Sequence, residues 1–538
     1  MATAFLVVLP FFFLGNPSGH DFEFHVNSWM EVLQQWRQGI IYPRWAAAAH
    51  YGYGEARFVF YPPASWMLGA TLGALLPWAV APGAYIWLAL ALSGCSMFML
   101  ARRWLEWRDA LFAAALYTAN PYYLVIVYWR SAFAELLAGA LLPLLLLYAL
   151  RSEKEGRKVI LPLSLVLAAA WLTNAPAAVM VNYSLALLAA VIAGARRAPR
   201  VLLYAGIAAV AGLALAAFYV LPAACEQSWV NIAAVLSPGV RPQDNFLFAI
   251  INDPDHNRFN LLVSLVAVAE LVVLAGAAGL LRCRIASASR SAVDRSSSAG
   301  ESLLRLSLLA WAAAAAVLMF SLTFPVWEHL PQLRFLQLPW RWLLCLNVAL
   351  ALLVSLAWRR WLPRLLICAL MLFVIVMAWQ HVQPPWWDTA ADITEMHDNI
   401  SEGPGHEGTD EYVPAAADPY EINPEARRAT FEGAGQARIQ IQRWDAETRL
   451  LFANVTTPGK LVLRLFNYPA WKVELNGHAV TAETREVTGQ MMIPLEAGEN
   501  RIQITFVRTW DRTAGGVISI VAALAMLLWV EFQRNPSR

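Results

Sequence analysis

The segment MATAFLVVLPFFFLGNPSGHDFEFH, residues 1–25, decides the character of this chain. Met1–Leu14 is almost entirely apolar, and His20, Asp21, Glu23 and His25 follow directly after it. Two carboxylates and two imidazoles at the mouth of a membrane helix are costly to place there and usually mark function. The segment therefore predicts a helical membrane protein with a polar site at the end of its first apolar helix.

The composition of the whole chain supports a membrane protein. Of its 538 residues, 59% are hydrophobic and only 14% are charged, which is atypical of a large soluble enzyme. Many of the 24 tryptophans flank apolar runs, where indole rings settle at the bilayer interface. A net charge of +2, without basic runs interleaved with aromatics, predicts no nucleic-acid partner. The five cysteines lie in or beside apolar runs and predict no disulfide framework.

Apolar runs and the charges between them predict an α-helical polytopic protein with about twelve transmembrane helices. Basic residues cluster in alternate connections, which the positive-inside rule places in the cytoplasm. Residues 15–82 then form a first external loop. Besides Met1–Leu14, the runs lie near residues 83–101, 109–128, 132–150, 159–175, 177–195, 201–222, 261–281, 303–323, 339–357, 363–381 and 514–531.

One apolar segment does not fit this alternation. Counting Pro62–Val80 as a span would invert every later connection, so we expect it to lie in the interface or to re-enter the membrane. Pro62-Pro63 would start this helix and Pro77 would end it. An ordinary span with reversed charge bias is the alternative.

The pattern changes from a helical period to alternation from Ala437 onward. Asn476-Gly477 between two alternating runs is a strong hairpin signal. We therefore expect a membrane domain over residues 1–381, an extracytoplasmic β-sandwich domain over 382–512, and a final span with a cytoplasmic tail over 513–538. The sandwich either binds sugar or merely caps the membrane domain.

Asp21 and Glu23 are the predicted catalytic pair. Two residues apart in extended chain, they share a face, and in a low-dielectric position either carboxylate can act as a general base on an acceptor hydroxyl. Capping of a helix that starts near Val26 is the alternative. His20 and His25 are candidate substrate-binding residues. Together the four side chains leave a divalent metal ion open as a cofactor, although their spacing matches no standard ligand set and we assign no metal ligand.

Other candidate substrate-binding residues lie on the same predicted face. Arg44, Arg57 and Arg341 each suit a phosphate with paired donors, or else anchor the interface. The Arg130–Glu135 pair is expected to be a mutual ion pair that shapes the cavity. Aromatic rings such as Tyr61 would stack on sugar or hold lipid. The neighbouring acids Asp410 and Glu411 would reach over the cavity. These candidates are Arg44, Arg57, Tyr61, Arg130, Glu135, Arg341, Asp410 and Glu411.

Two non-enzymatic functions are weighed against catalysis. Ion-coupled transport needs ionisable groups near the bilayer midplane, and Glu270 is the only evident one, so transport is disfavoured. A scaffold or export component for surface polysaccharide remains an alternative, with the sandwich binding glycan.

The local motifs resemble a known family. Gly-His-Asp-x-x-x-His from Gly19, Gly39-x-x-Tyr-Pro-Arg-Trp and Phe58-x-Phe-Tyr-Pro-Pro resemble bacterial membrane proteins labelled "6-pyruvoyl-tetrahydropterin synthase-related". Leu338-Pro-Trp-Arg-Trp342 and Asp410-Glu411-Tyr-Val-Pro414 add to the resemblance.

The architecture is similar to that of type-C glycosyltransferases (GT-C), which use polyprenyl-phosphate sugars as donors. The resemblance implies an inverting sugar transfer to a glycan, lipid or protein on the external face of the bacterial inner membrane. It also implies that Asp21 is the base or a metal-binding carboxylate, with Glu23 as its partner. Arg57 takes the place of a lysine that often precedes the Pro-Pro pair in such enzymes, and this is a departure from the pattern.

Overall fold

The computed structural model describes residues 1–288, 295–381 and 386–534. Within these residues, nine helices are long and apolar enough to cross a membrane, or ten if a bent pair counts as one span. They are Ala81–Ala101, Trp107–Arg130, Phe133–Thr173, Ala175–Arg196, Pro254–Arg284, Gly300–Leu318, Pro339–Ala357, Trp361–Gln380 and Trp510–Glu531. The predicted helical membrane fold is confirmed.

The predicted number of about twelve spans is not confirmed. The bent pair, Arg200–Leu215 and Ala217–Trp229, turns by 76°, and the first apolar helix, Ala2–Leu14, is shorter than the other candidates. Phe133–Thr173 contains two of the predicted runs. Gly156, between them, adopts a positive φ of 57°, and the helices on either side of it contact each other. The chain therefore reverses direction within this segment.

The individual helices follow the apolar runs closely. Several of them start at a proline, whose ring suits the first helical turn. In chain order they are Ala2–Val8, Phe11–Leu14, Phe22–Arg37, Ala49–Gly52, Arg57–Phe60, Pro63–Leu75, Ala81–Ala101, Trp107–Thr118, Pro121–Val125, the π-helical turn Ile126–Arg130, Phe133–Gly139, Leu141–Glu155, Ile160–Thr173, Ala175–Arg196, Arg200–Leu215, Ala217–Cys225, Pro242–Asn245, Pro254–Ala288, Arg295–Leu318, Phe324–His329, Leu343–Ala357, Trp361–Gln380, Ala390–Ser401 and Trp510–Arg534.

Two helices of the first loop pack against each other beside the spans. Phe22–Arg37 begins four residues before the predicted start near Val26. Pro63–Leu75 begins after Pro62 as predicted, and at 13 residues it is roughly 20 Å long, too short to cross the bilayer core. Their contact requires Gly69, since a Cβ there would lie 2.0 Å from the Trp29 ring. The position of helix Pro63–Leu75 in the membrane interface stays a prediction.

The β-sandwich is confirmed as a fold. One sheet has the strand order Ala429–Glu432, Gly459–Phe466, Gln490–Leu495 and Glu483–Thr484. The other has the order Ala437–Trp444, Thr448–Val455, Gly498–Phe506, Trp471–Leu475 and His478–Val480. The predicted hairpin turn lies at Asn476 and Gly477, both with positive φ, as a type I′ turn requires. The apolar faces of both sheets meet in one core. The domain boundaries at 381 and 512, and the extracytoplasmic position of the sandwich, remain predictions.

The sandwich is joined to the spans through a buried ion pair, here called the junction cluster (Glu226, Tyr468 and Arg512). Arg512 Nε and Nη2 each lie 2.7 Å from the Glu226 carboxylate, and the Tyr468 hydroxyl donates to it at 2.5 Å. Glu226 ends a bent span, Arg512 begins the last helix, and Tyr468 belongs to the sandwich. One carboxylate thus ties three parts of the chain together.

A second connection runs over the first loop and is here called the cover segment (residues 386–414). Trp387–Asp388 pairs as a short strand with Asn16–Pro17. Further along, His406 Nε2 lies 2.9 Å from Glu31 Oε1, and the Thr409 amide donates to Glu55 at 2.7 Å. These bonds hold the chain that carries Asp410 and Glu411 against the loop that carries Asp21.

Candidate functional site

Backbone hydrogen bonds place Asp21 beside Arg130. The His20 and Asp21 amides donate to the carbonyls of Trp129 and Arg130 at 3.3 and 2.8 Å. Gly19 makes this approach possible, because a Cβ there would lie 2.6 Å from the Arg130 carbonyl carbon. The Ser131 hydroxyl accepts from the Gly19 amide and donates to the Pro17 carbonyl. The Gly-His-Asp motif is therefore a docking segment for the end of a span.

Asp21 meets three buried residues that form, with it, the arginine cluster (Asp21, Arg130, Glu135 and Arg341). Glu135 Oε2 accepts from Arg130 Nη1 at 2.6 Å and from Arg341 Nε at 3.0 Å. The Tyr122 hydroxyl donates to its other oxygen at 2.5 Å. The expected Arg130–Glu135 ion pair is confirmed, and Arg341 joins it from 206 residues away in sequence. The carboxylate of Glu135 holds both guanidinium groups in place.

The arginine cluster keeps unused binding capacity. Two guanidinium groups share the one buried carboxylate of Glu135, so this triad has a net charge of +1. Asp21 Oδ2 is 3.9 Å from Arg130 Nη2, beyond hydrogen-bonding distance, and its side chain is 42% exposed. Asp21 precedes helix Phe22–Arg37 without capping it through its side chain. The accessible carboxylate of Asp21 therefore lies beside the buried guanidinium group of Arg130.

The two histidines and Glu23 do not join Asp21 in a metal site. His25 is buried among aromatic rings, including Tyr61 and Phe133 at 5.8 and 5.1 Å, and burial together with Arg57 and Arg130 lowers its pKa to about 3. Glu23 is exposed, and the ring of His20 packs against Phe259. Across the described residues, no three His, Cys, Asp or Glu side chains are arranged to hold a metal ion. The side chains present do not fit the divalent ion that the sequence left open.

Tyr61 lies near Asp21, and a row of aromatic rings leads from it to Tyr412, the neighbour of Glu411 in sequence. The Tyr61 ring is 4.8 Å from Phe24, whose ring is 6.5 Å from Tyr412. Burial raises the pKa of Tyr61 well above its usual value, and the Asp21 carboxylate adds to the rise. Burial also raises the pKa of Glu411 to about 7. Asp410 instead accepts the Tyr420 hydroxyl at 2.7 Å.

Arg57 and Arg44 lie outside the arginine cluster. Arg57 is 1% exposed and donates to Glu55 at 2.5 Å and to Ser28 at 2.9 Å, so its guanidinium group forms a buried ion pair. Its expected role in gripping phosphate stays a prediction. Burial opposes ionisation of Glu55, but Arg57 and His50 outweigh it and lower its pKa to about 2.

Arg44 stacks on Tyr42 at 4.2 Å near the junction cluster. Burial lowers its pKa, and Arg512 acts in the same direction. Arg341 is thus the one of the three proposed phosphate arginines that the fold brings to Asp21.

An apolar groove of about 610 Å³ adjoins the arginine cluster. It lies between Pro121–Trp129, Phe259–Val266 and Val374–His381, with Arg258, Gln380 and His381 among its lining residues. Phe259 connects the groove to the cluster, since its ring is 5.9 Å from Trp340, over which Arg130 lies at 4.9 Å. A ligand with a long apolar chain and an anionic head would match both parts.

Several residues of this site escaped the sequence analysis. Tyr122, Ser131 and Trp340 act through contacts made only in the folded chain, and Glu55 lay unnoticed two residues before Arg57. A weak signal existed for two of them: Ser131 directly follows Arg130, and Trp340 precedes Arg341 in the quoted Pro-Trp-Arg-Trp motif.

Comparison with known proteins gives a family and two distant structures. The family model described as "6-pyruvoyl-tetrahydropterin synthase related domain; membrane protein" matches residues 58–383, more than half of the chain. Among curated proteins, none matches. The arabinofuranosyltransferase AftD from Mycobacteria aligns at a TM-score of 0.39 and 16% identity, over 70% of this chain and 27% of AftD. The chain therefore spans only about a quarter of that enzyme. ArnT from Cupriavidus metallidurans, solved with undecaprenyl phosphate, aligns at a TM-score of 0.31 and 15% identity, over 66% of this chain and 76% of ArnT.

Proposed function

We propose that this chain, which belongs to the 6-pyruvoyl-tetrahydropterin synthase-related family of membrane proteins, is a glycosyltransferase that takes a sugar from a polyprenyl-phosphate carrier. The observation that carries the proposal is the arginine cluster: two guanidinium groups share one buried carboxylate, beside a half-exposed aspartate and an apolar groove.

The charge of the cluster suits the donor. A polyprenyl-phosphate sugar is a phosphodiester with one negative charge, and the triad of Arg130, Glu135 and Arg341 has one positive charge to offer it. Guanidinium groups match phosphate oxygens with paired donors. When the sugar leaves, negative charge grows on the phosphate, and preorganised donors stabilise that charge in the transition state.

The groove suits the carrier chain. Its walls come from helices that are apolar and long enough to cross a membrane, so an isoprenoid chain would enter it from the bilayer. Phe259 and Trp340 connect the groove to Arg130. The phosphate of a lipid lying in the groove would thus lie at the cluster. A soluble phosphate compound would not need the groove.

Asp21 is the proposed general base. Its carboxylate takes the proton of an acceptor hydroxyl, whose oxygen forms the new bond to the anomeric carbon. The bond from that carbon to the phosphate oxygen breaks, and the polyprenyl phosphate departs with the electron pair. Attack from the side opposite the phosphate inverts the anomeric centre. Glu23, which is exposed, is assigned no step.

The proposed setting is the bacterial inner membrane, with the sandwich on the extracytoplasmic side. The acceptor is a glycan or a lipid, and membrane lipid surrounds the spans. The arrangement of basic connections supports this orientation.

Two measurements on the full-length protein in nanodiscs test the proposal. A long-chain polyprenyl phosphate should bind, and the matched polyprenol without phosphate should not. Asp21→Asn should keep lipid binding and lower the rate of sugar transfer in membranes by about 10²- to 10⁴-fold. Exposed Glu23→Gln is the control and should retain transfer. Equal binding of polyprenol and polyprenyl phosphate, or unchanged transfer by Asp21→Asn, would overturn the proposal.

A further inference from the structure

A row of aromatic rings, here called the aromatic strip (Phe24, Tyr61 and Tyr412), leads away from Asp21. Phe24 touches both of its neighbours, with ring centroids 4.8 Å from Tyr61 and 6.5 Å from Tyr412. Phe24 and Tyr61 are half-buried, while Tyr412 is 8% exposed and supported from behind by Phe60, stacked at 6.1 Å. Phe24 and Tyr61 meet edge to face at 72°, and part of each ring stays accessible.

Carboxylates stand at both ends of this strip. Asp21 lies at the Tyr61 end. Burial raises the pKa of the Tyr61 phenol, and the nearby Asp21 carboxylate raises it further. Glu411 lies at the other end, next to Tyr412. Within the described residues, the Glu411 carboxylate meets only its own backbone N–H as a hydrogen-bond donor, although the side chain is half-buried. A crowded carboxylate without a partner is costly unless a ligand or water supplies donors.

The nearest cation to Glu411 is already engaged. Arg57 donates to Glu55 at 2.5 Å and to Ser28 at 2.9 Å, and it lies over the Phe24 ring at 4.5 Å. Asp410 adds another negative charge beside Glu411. This end of the strip is therefore acidic, in contrast to the arginine cluster at the other side of Asp21.

We propose that the aromatic strip is the acceptor subsite and that it takes a neutral sugar, with Glu411 receiving hydrogen bonds from the sugar hydroxyls. The inference rests on the proposed function and adds the class of acceptor to it. The apolar face of a sugar ring stacks on Tyr61, because the plane of Phe24 is turned by 72° and Arg57 lies over that ring. The edge of the sugar presents hydroxyl donors to the carboxylate. One hydroxyl then comes to Asp21, between the acceptor and the donor phosphate.

The same geometry excludes acidic acceptors. A uronic acid or a phosphorylated sugar would bring a second negative charge next to Glu411 and Asp410, and like charges in a partly desolvated site oppose binding. The structure thus separates the two substrates by charge: the anionic donor goes to the arginines and the neutral acceptor to the acidic strip.

Binding of simple glycosides to the full-length protein in nanodiscs tests this inference. The probes are methyl glycosides of glucose, galactose, mannose, arabinose and rhamnose, with methyl glucuronide as the acidic counterpart, followed by saturation-transfer NMR. We expect at least one neutral glycoside to bind and methyl glucuronide to bind at least about tenfold more weakly. Glu411→Ala should weaken binding of the neutral glycoside by about tenfold or more, because a hydrogen bond to a charged group is lost. Tyr61→Ala should weaken it by about tenfold, because the stacking ring is lost.

Glu407→Ala, an exposed acid in the same segment, is the matched control and should bind like the wild type. Should Glu411→Ala fail to fold, Glu411→Gln replaces it. The inference is overturned if no neutral glycoside binds, if the Glu411 and Tyr61 variants bind as the wild type does, or if the glucuronide is preferred. Polyprenyl phosphate binding is measured on the same samples. Retained lipid binding without sugar binding overturns the acceptor subsite alone, whereas lost discrimination against polyprenol overturns the proposed function.

Discussion

The arginine cluster and the junction cluster use the same chemistry to different ends. In the junction cluster, one arginine faces one carboxylate through two bonds of 2.7 Å, and both side chains are at most 3% exposed. In the arginine cluster, two arginines face one buried carboxylate, and the neighbouring Asp21 is 42% exposed. The junction pair is closed and neutral, while the triad of Arg130, Glu135 and Arg341 carries one positive charge beside the accessible carboxylate of Asp21. Charge balance and exposure, rather than residue type, separate a brace from a candidate site.

The largest effect on stability should come from breaking the closed cluster. Arg512→Ala leaves the Glu226 carboxylate buried without its cation, which costs about 3–5 kcal/mol of unfolding free energy. Chemical denaturation in detergent micelles measures it. Lys460→Ala, which removes an exposed ion pair of the same sandwich, should cost less than about 1 kcal/mol. Equal effects of the two substitutions would show that the junction is not a brace.

The largest effect on ligand binding should come from the open cluster. Arg341→Lys keeps the charge beside Glu135 but loses the planar fork, so affinity for polyprenyl phosphate should fall by about 10- to 100-fold. Binding in nanodiscs measures it, with Arg512→Lys as the matched change in the closed cluster. Folded Arg512→Lys protein should bind the lipid normally. A similar loss in both variants would erase the distinction between the two clusters.

Acid sensitivity should belong to the region of Asp21, because the buried His25 lies one helical turn after it. The folded pKa of His25 is about 3, against 6.5 in the unfolded chain, so only the unfolded chain takes up this proton between those values. Stability is therefore lost as the pH falls below 6.5, by about 2 kcal/mol from pH 7 to pH 5. The difference between wild type and His25→Gln at both pH values measures it. The exposed His478→Gln serves as control, and an identical pH response of all three proteins would contradict the assignment.

The smallest effects should come from the two tyrosines that donate to the buried carboxylates. Tyr122→Phe and Tyr468→Phe each remove one hydrogen bond of 2.5 Å, at a cost of about 1 kcal/mol, because each carboxylate keeps its other donors. Only Tyr122→Phe should also weaken binding of polyprenyl phosphate, since Glu135 positions both arginines. Weakened lipid binding in Tyr468→Phe would indicate that the junction is coupled to the site.

Local patterns in the sequence were sufficient for much of the fold. The apolar runs predicted the helices, Pro62 marked the start of the short helix Pro63–Leu75, and Asn476-Gly477 predicted the hairpin. The Arg130–Glu135 pair was predictable because its members are five residues apart at the ends of two spans. The number of spans was less predictable, since length and composition do not show where a helix bends or reverses.

The candidate site was predicted only in part. Asp21 was recognised from its charge in an apolar setting, and Arg341 from its motif. Arg57 was assigned to phosphate because its guanidinium group offers paired donors on the predicted external face. In the fold it donates to Glu55, two residues earlier. A single sequence shows which residues carry charge, but it does not show which charges neutralise each other.

The amino-acid sequence alone determined that this chain is a helical membrane protein with a β-sandwich near its end, because hydrophobic periodicity is a local property of the backbone and its solvent. Tertiary structure alone decided that Glu135 would hold Arg130 and Arg341 together beside Asp21. It also decided that Glu411 would lie at the end of the aromatic strip with only its own backbone N–H as a donor among the described residues. Electrostatic and hydrogen-bond energies depend on distances between residues hundreds of positions apart, and only the folded chain sets those distances.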